Sequence, residues 1–166
     1  TGGFSTKNAS IGFYDSAYIQ WVITIFMFLA GVNFSLYYLL FIRKINNFFK
    51  NEEFRYYFFL SIGATLLIFF NIYYAGVGSS AGETLRYAAF TAVSTITTTG
   101  YAVVDYIYWP LFAQGIIFLL LFAGGCTGST SGSIKAGRFV ILIKNIKIEL
   151  SRLVHPKSVN SLKVNQ

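Results

Sequence analysis

From Ala17 to Ile42 the chain runs for 26 residues without a charge. At about 1.5 Å of rise per residue this makes a helix of roughly 39 Å, longer than the roughly 30 Å apolar core of a bilayer. The pattern predicts a spanning helix that tilts or leaves its ends in the interface. Arg43, Lys44, Lys50 and Arg55 follow, diluted by Glu52 and Glu53. A second apolar run, Tyr56 to Tyr74, has 19 residues and also predicts a span. A turn of small residues then occupies 75–82.

The next helix is different. Ser80-Ala81-Gly82-Glu83 has the spacing of a capping box, in which a hydroxyl and a carboxylate satisfy amides at a helix start. The helix it opens, Glu83 to Ile96, has 14 residues and carries Arg86 and several threonines. At roughly 21 Å it is too short and too polar to cross, so it is expected to enter and leave on one side. Asp105, Tyr106, Tyr108 and Trp109 form an aromatic rim, with Pro110 suited to a helix start. A third apolar run, Leu111 to Ala123, stops after 13 residues at a stretch rich in glycine and serine. Helical character resumes from Ile134 to Leu153, with Lys135, Arg138, Lys144, Lys147 and Arg152 along it.

Composition supports a membrane setting. Only 11% of the 166 residues are charged, against about a quarter in soluble domains. Phenylalanine and tyrosine are abundant, as lipid-facing and interfacial helices require. The net charge of +7 comes mainly from two blocks, which together hold 11 of the 13 basic residues. Such blocks flank apolar runs and favour topology over a nucleic-acid groove, so no nucleic-acid partner is expected. The positive-inside rule assigns 43–55 and 139–166 to the cytoplasm, and 1–16 and 75–110 to the outside. That alternation is consistent only if the short helix is re-entrant. The single Cys126 excludes an internal disulfide. The chain starts at Thr1 without an initiator methionine or signal pattern, which reads as a portion of a longer protein.

The candidate chemistry lies after the short helix, at Thr97-Thr98-Thr99-Gly100-Tyr101. Backbone carbonyls held at membrane depth can replace the water shell of a monovalent cation. Gly100 permits backbone angles that a Cβ forbids. The helix end near Ser94 to Ile96 directs its negative dipole end at the same place. A near-copy, Thr1-Gly2-Gly3-Phe4-Ser5, opens the chain. Both copies lead through an aspartate, Asp15 or Asp105, into an apolar run ending in Ala-Gly. The pattern predicts repeated units of helix, re-entrant helix, filter and helix in an all-α integral membrane fold like that of potassium channels. Residues 1–55 would hold the filter and second helix of one unit with a cytoplasmic loop, 56–153 a complete unit, and 154–166 a linker. The plainer alternative for the threonine-glycine stretch is a polar turn between helices.

The break at Gly124, Gly125, Cys126, Thr127, Gly128, Ser129, Thr130, Ser131, Gly132 and Ser133 is the second candidate. Irregular backbone at this depth is tolerated only where protein or a water cavity covers it. A segment there can obstruct a pore and move aside, or be no more than a glycine-rich helix end. Lys135 beside it either senses passing cations or snorkels to the headgroups. Asn33 and Asn71 are expected at helix–helix contacts, and His155 at a helix end rather than on a metal. With no paired carboxylates, Cys/His cluster or nucleophile with a base, an enzyme is not expected. Two other classes remain open, a coupled secondary transporter binding its solute at broken helices and a scaffold for a cytosolic regulator.

Several stretches resemble the Trk/Ktr family of bacterial potassium-uptake membrane subunits, and most of all its TrkH branch. They are GGFSTKNASIGFYDS at Gly2–Ser16, TTTGY at Thr97–Tyr101, WPLF at Trp109–Phe112, GGCTGSTSGSIKAGR at Gly124–Arg138 and ELSRLVHPKSV at Glu149–Val159. The resemblance implies four repeats around one potassium pore, with Gly3 in the second filter and Gly100 in the third. It implies potassium contacts at Thr1, Gly2, Gly3, Thr97, Thr98, Thr99 and Gly100, and a gating loop over Gly124–Ser133 with Lys135 beside it. It also implies a homodimer in plasma-membrane lipid, controlled by a cytosolic nucleotide-binding ring of the TrkA/KtrA kind, with no organic cofactor. Whether uptake is a proton or sodium symport stays open.

Overall fold

The computed structural model describes residues 3–43 and 45–154. Thr1 and Gly2 of the expected filter, Lys44, His155 and the rest of the expected linker lie outside the described residues. Among the described residues, seven α-helices and two short 3-10 turns follow in order: α1 (Ala17–Ala30), α2 (Phe34–Phe41), α3 (Ile45–Lys50), α4 (Glu52–Tyr74), α5 (Ala81–Ile96), α6 (Leu111–Leu120) and α7 (Ala136–Val154). The turns cover Ser10–Phe13 and Tyr106–Tyr108.

The uncharged run from Ala17 to Ile42 is not one helix. It breaks at Gly31-Val32-Asn33, and the axes of its two halves differ by 97°. Two local causes are visible. A Cβ on Gly31 would stand 2.3 Å from the Tyr57 hydroxyl, so the chain turns where α4 comes closest. The Asn33 side chain then accepts the Ser35 amide at 2.8 Å and starts α2 afresh. Asn33 is therefore a helix cap and not the expected helix–helix contact. The buried Asn71 side-chain oxygen has no hydrogen-bond partner among the described residues.

α4 is the one described helix long and apolar enough to cross a membrane by itself; it starts a turn before the apolar run. Asn51 accepts the Phe54 amide at 3.0 Å, and Glu52 and Glu53 occupy the first turn, where the helix dipole favours negative charge. Large side chains such as Phe59, Leu67 and Phe70 remain exposed along it, as on a lipid-facing helix.

α5 is the centrepiece. At 16 residues it remains too short to cross, and it packs against α4, α1 and α6. Ala88, Ala89 and Ala92 are buried, and such small side chains let helix backbones approach closely in the absence of water. Ser80 accepts the Glu83 amide at 3.2 Å, as the capping pattern predicts. The returning bond differs by one residue, because the Glu83 carboxylate accepts from Ser79 at 3.0 Å. Pro110 precedes α6 at its cap position. The later helices shift slightly from expectation: α6 ends at Leu120 and α7 begins at Ala136, because the glycine-rich segment between them has its own hydrogen bonding.

Candidate functional site: two glycine strands and the loop beside them

The end of α5 delivers the chain into the threonine-glycine strand through a series of caps. The Thr97 amide and hydroxyl both donate to the Val93 carbonyl, at 2.9 and 2.7 Å. Thr98 and Thr99 amides donate to Thr95 and Ser94 carbonyls at 3.0 and 2.9 Å. Thr97 thus spends its hydroxyl on the helix end, and a 2.8 Å bond joins it to the Thr99 hydroxyl. Thr98 sits in the left-handed region, with φ of 51°. A non-glycine residue there is strained, and such strain gathers at functional sites.

Gly100 follows with φ of 78°, and Gly3 has φ of 66°. These two glycines meet. A Cβ on Gly3 would stand 2.6 Å from the Gly100 carbonyl oxygen. The strands continue side by side: the Gly12 amide donates to the Ala102 carbonyl at 3.1 Å, and the Ala102 amide to the Ser10 hydroxyl at 3.3 Å. The first strand and the second, 97 residues apart in sequence, therefore lie backbone to backbone. Ser94 donates to the Tyr101 carbonyl at 2.7 Å and holds the second strand against α5. A cavity of about 450 Å³ is lined by Gly100, by Thr91, Ser94 and Thr95 of α5 and by Gln114, Ile117 and Phe118 of α6.

The aromatic stretch at 105–110 is tied by polar residues. Asp105 accepts the Ile107 amide at 3.1 Å, and Gln114 donates to the Ile107 and Trp109 carbonyls at 2.7 and 2.9 Å. In the first turn of α5, which is not a spanning helix, hydrogen bonds from Tyr87 and Ser79 hold the Glu83 carboxyl below its ordinary range.

Residues 124–133 form a loop closed at its neck. The Gly124 amide donates to the Ile134 carbonyl at 2.8 Å, and the Ile134 amide to Phe122 at 3.2 Å. The body of the loop leaves the path from α6 to α7 and reaches the base of the second strand, where the Gly132 amide donates to the Thr98 hydroxyl at 2.6 Å. It also fills the break between α1 and α2: Cys126 and Thr130 amides donate to the Gly31 and Ala30 carbonyls at 2.9 and 3.3 Å. Gly125 packs against Gly31 and Ser131, and Gly128 against Asn33. Those carbonyls end α1 and would otherwise lack partners. Lys135 is half-buried. Its ammonium turns back to donate to the Ser131 carbonyl, and to that of Ser129 at 3.3 Å.

Sequence reasoning missed Glu53. Its carboxylate is buried and accepts from both the amide and the hydroxyl of Thr127, the amide at 2.9 Å. A lone acidic residue at a helix start reads as a dipole partner, and nothing in its sequence position names a neighbour 74 residues away.

These features define a class: helical membrane proteins in which a short re-entrant helix carries a threonine-glycine strand into the fold. The whole chain, residues 1–166, matches the TrkH family, described as cation transport proteins. The chain belongs to that family. It is 40% identical to the Trk system potassium uptake protein TrkH of Escherichia coli (strain K12), over 98% of this chain and 34% of that protein. It is 37% identical to the Trk system potassium uptake protein TrkG of the same strain, again over 98% and 34%. The crystal structure of the potassium transporter TrkH from Vibrio parahaemolyticus is similar with a TM-score of 0.89 at 34% identity, covering 98% of this chain and 36% of that one. The chain thus spans about a third of the length of these relatives. The family is one of transporters rather than enzymes, multi-pass in the inner membrane, and its relatives are named as parts of a Trk system.

Proposed function

We propose that this chain supplies two of the strands of a potassium filter, and that the full-length protein takes up potassium as the translocating subunit of a Trk-type system. The observation that carries this reading is the meeting of Gly3 and Gly100, each in the left-handed region, beside the buried end of a re-entrant helix. Left-handed turns let successive carbonyls face one side, where they substitute for the water lost by an entering ion. Potassium is the substrate, held by backbone oxygens among Thr1, Gly2, Gly3, Thr97, Thr98, Thr99 and Gly100.

The Gly124–Ser133 loop, with Lys135, acts as the gate. The bond from Gly132 to Thr98 supports this role, because it sets the loop against the base of the strand. The two basic segments meet at the ion pair of Glu52 with Lys144, which supports a cytoplasmic position for 43–55 and 139–166. Residues 1–16 and 75–110 then face outside. Residues 1–55 belong to one repeat, 56–153 form a second, and 154–166 link to the next. The exposed apolar sides of α4 and α6 meet lipid or further repeats. The full protein is a homodimer controlled by a cytosolic nucleotide-binding ring.

Rubidium uptake by the full-length protein in potassium-starved cells tests the filter. Gly100→Asp is expected to abolish uptake while the protein still reaches the membrane, and unchanged uptake refutes the assignment. Shortening Gly124–Ser133 is expected to raise uptake with the same preference for rubidium over sodium. A fall in uptake or a changed preference removes the gate.

A further inference from the structure

The Gly124–Ser133 loop contains four glycines, and Cys126 is its one fully buried apolar side chain. Packing therefore contributes little to holding it, and its hydrogen bonds decide where it sits. The bonds to Thr98, Ala30 and Gly31 join neutral groups. The bond to Glu53 differs. A single carboxylate oxygen receives both donors of Thr127, its amide and its hydroxyl. Hydrogen bonds to a carboxylate are roughly twice as strong as neutral ones. Glu53 also stands on a rigid element, in the capped first turn of α4.

α7 leaves room for this contact. A Cβ on Gly137 would stand 2.3 Å from Glu53 Oε1 and 2.9 Å from Thr127 Oγ1. Glycine at 137 thus leaves the space in which carboxylate and hydroxyl meet. Three elements, the start of α4, the middle of the loop and the first turn of α7, converge on one buried oxygen.

We propose that Glu53 is the positioning residue that clamps the Gly124–Ser133 loop in its seat through Thr127, with Gly137 keeping the space for the clamp. The consequence for transport rests on the reading of that loop as a gate; the clamp itself does not. Release of Thr127 frees the loop between its neck and its contact with Thr98, and the pore spends more time open.

Cys126, adjacent to Thr127 and fully buried, reports the release independently of transport. The experiment uses the full-length protein in native membranes. N-ethylmaleimide modification of Cys126 is followed by peptide mass spectrometry, and rubidium uptake is measured on the same membranes' parent cells. Glu53→Ala, Thr127→Val and Gly137→Ala are each expected to speed modification at least tenfold, whereas Thr127→Ser retains the slow rate. The double variant Glu53→Ala/Thr127→Val is expected to react no faster than the faster single variant, because Glu53→Ala already removes the acceptor of both Thr127 donors. Rubidium uptake is expected to rise in the same three variants with no change in ion preference. Wild-type modification rates in all three overturn the clamp, as does an additive double variant, which signals general loosening. Fast modification with unchanged uptake keeps the clamp and overturns the gate.

Discussion

Replacing Gly3 with alanine tests whether two left-handed turns have to touch for the pore to work. The new Cβ meets the Gly100 carbonyl oxygen at 2.6 Å, against at least 3.4 Å for an ordinary contact. One of the two backbones must retreat by about 0.8 Å, and neither is a flexible side chain that yields cheaply. A Cβ in left-handed backbone costs about 1–2 kcal/mol, and overpacking a close contact adds about 1–3 kcal/mol. The native arrangement is therefore disfavoured by about 2–5 kcal/mol, a factor of about thirty at the low end at 1.4 kcal/mol per tenfold. If that arrangement is the one that conducts, rubidium uptake per molecule of full-length protein falls measurably, at the low end by up to about thirty-fold. Gly63→Ala is the matched control, because nothing lies within 4 Å of a Cβ there. It is expected to stay within twofold of wild type. Uptake of Gly3→Ala at the wild-type rate, with the protein present in the membrane and the ion preference unchanged, refutes the claim that these strands form a filter.

Two further expectations concern the frame that holds the strands. Ser80→Ala removes the side-chain cap of α5 and is expected to cost about 1 kcal/mol, seen as a lower thermal midpoint of the full-length protein in detergent; an unchanged midpoint argues that the cap is redundant. Tyr57→Phe removes the 2.9 Å bond from its hydroxyl to the Phe28 carbonyl, which keeps the Gly31 amide at 3.1 Å, so the expected loss in the same assay is that of one ordinary hydrogen bond, about 0.5–1.5 kcal/mol. The variant is also expected to leave ion preference alone, because Tyr57 touches the helix break and not the strands.

Much of the architecture is legible along the chain, because lipid makes length and polarity decisive. A run of 19 apolar residues crosses and a helix of 14 with an arginine does not, and α4 and α5 follow that rule with one extra turn or less at each end. The start of α5 is readable from Ser80 and Glu83, since a cap is a local bond. Gly3 and Gly100 stand out because each follows the same kind of small, polar residues. What lies 30 to 100 residues apart is not readable. The 97° break at Gly31-Val32-Asn33 sits within an unbroken apolar run, and it forms because Tyr57 and the glycine-rich loop occupy the space that a straight helix would need.

The sequence by itself determined the span of α4, the short α5 with its Ser80 cap, and the two glycine turns, because those depend on neighbours within a helical turn and on the solvent. Only the tertiary structure decided which groups face one another. It joined Gly3 to Gly100, turned Lys135 onto the carbonyls of its own loop, and brought Glu53 to Thr127. The physical reason is that a buried donor or acceptor must find a partner, and in a folded chain that partner is set by packing rather than by spacing.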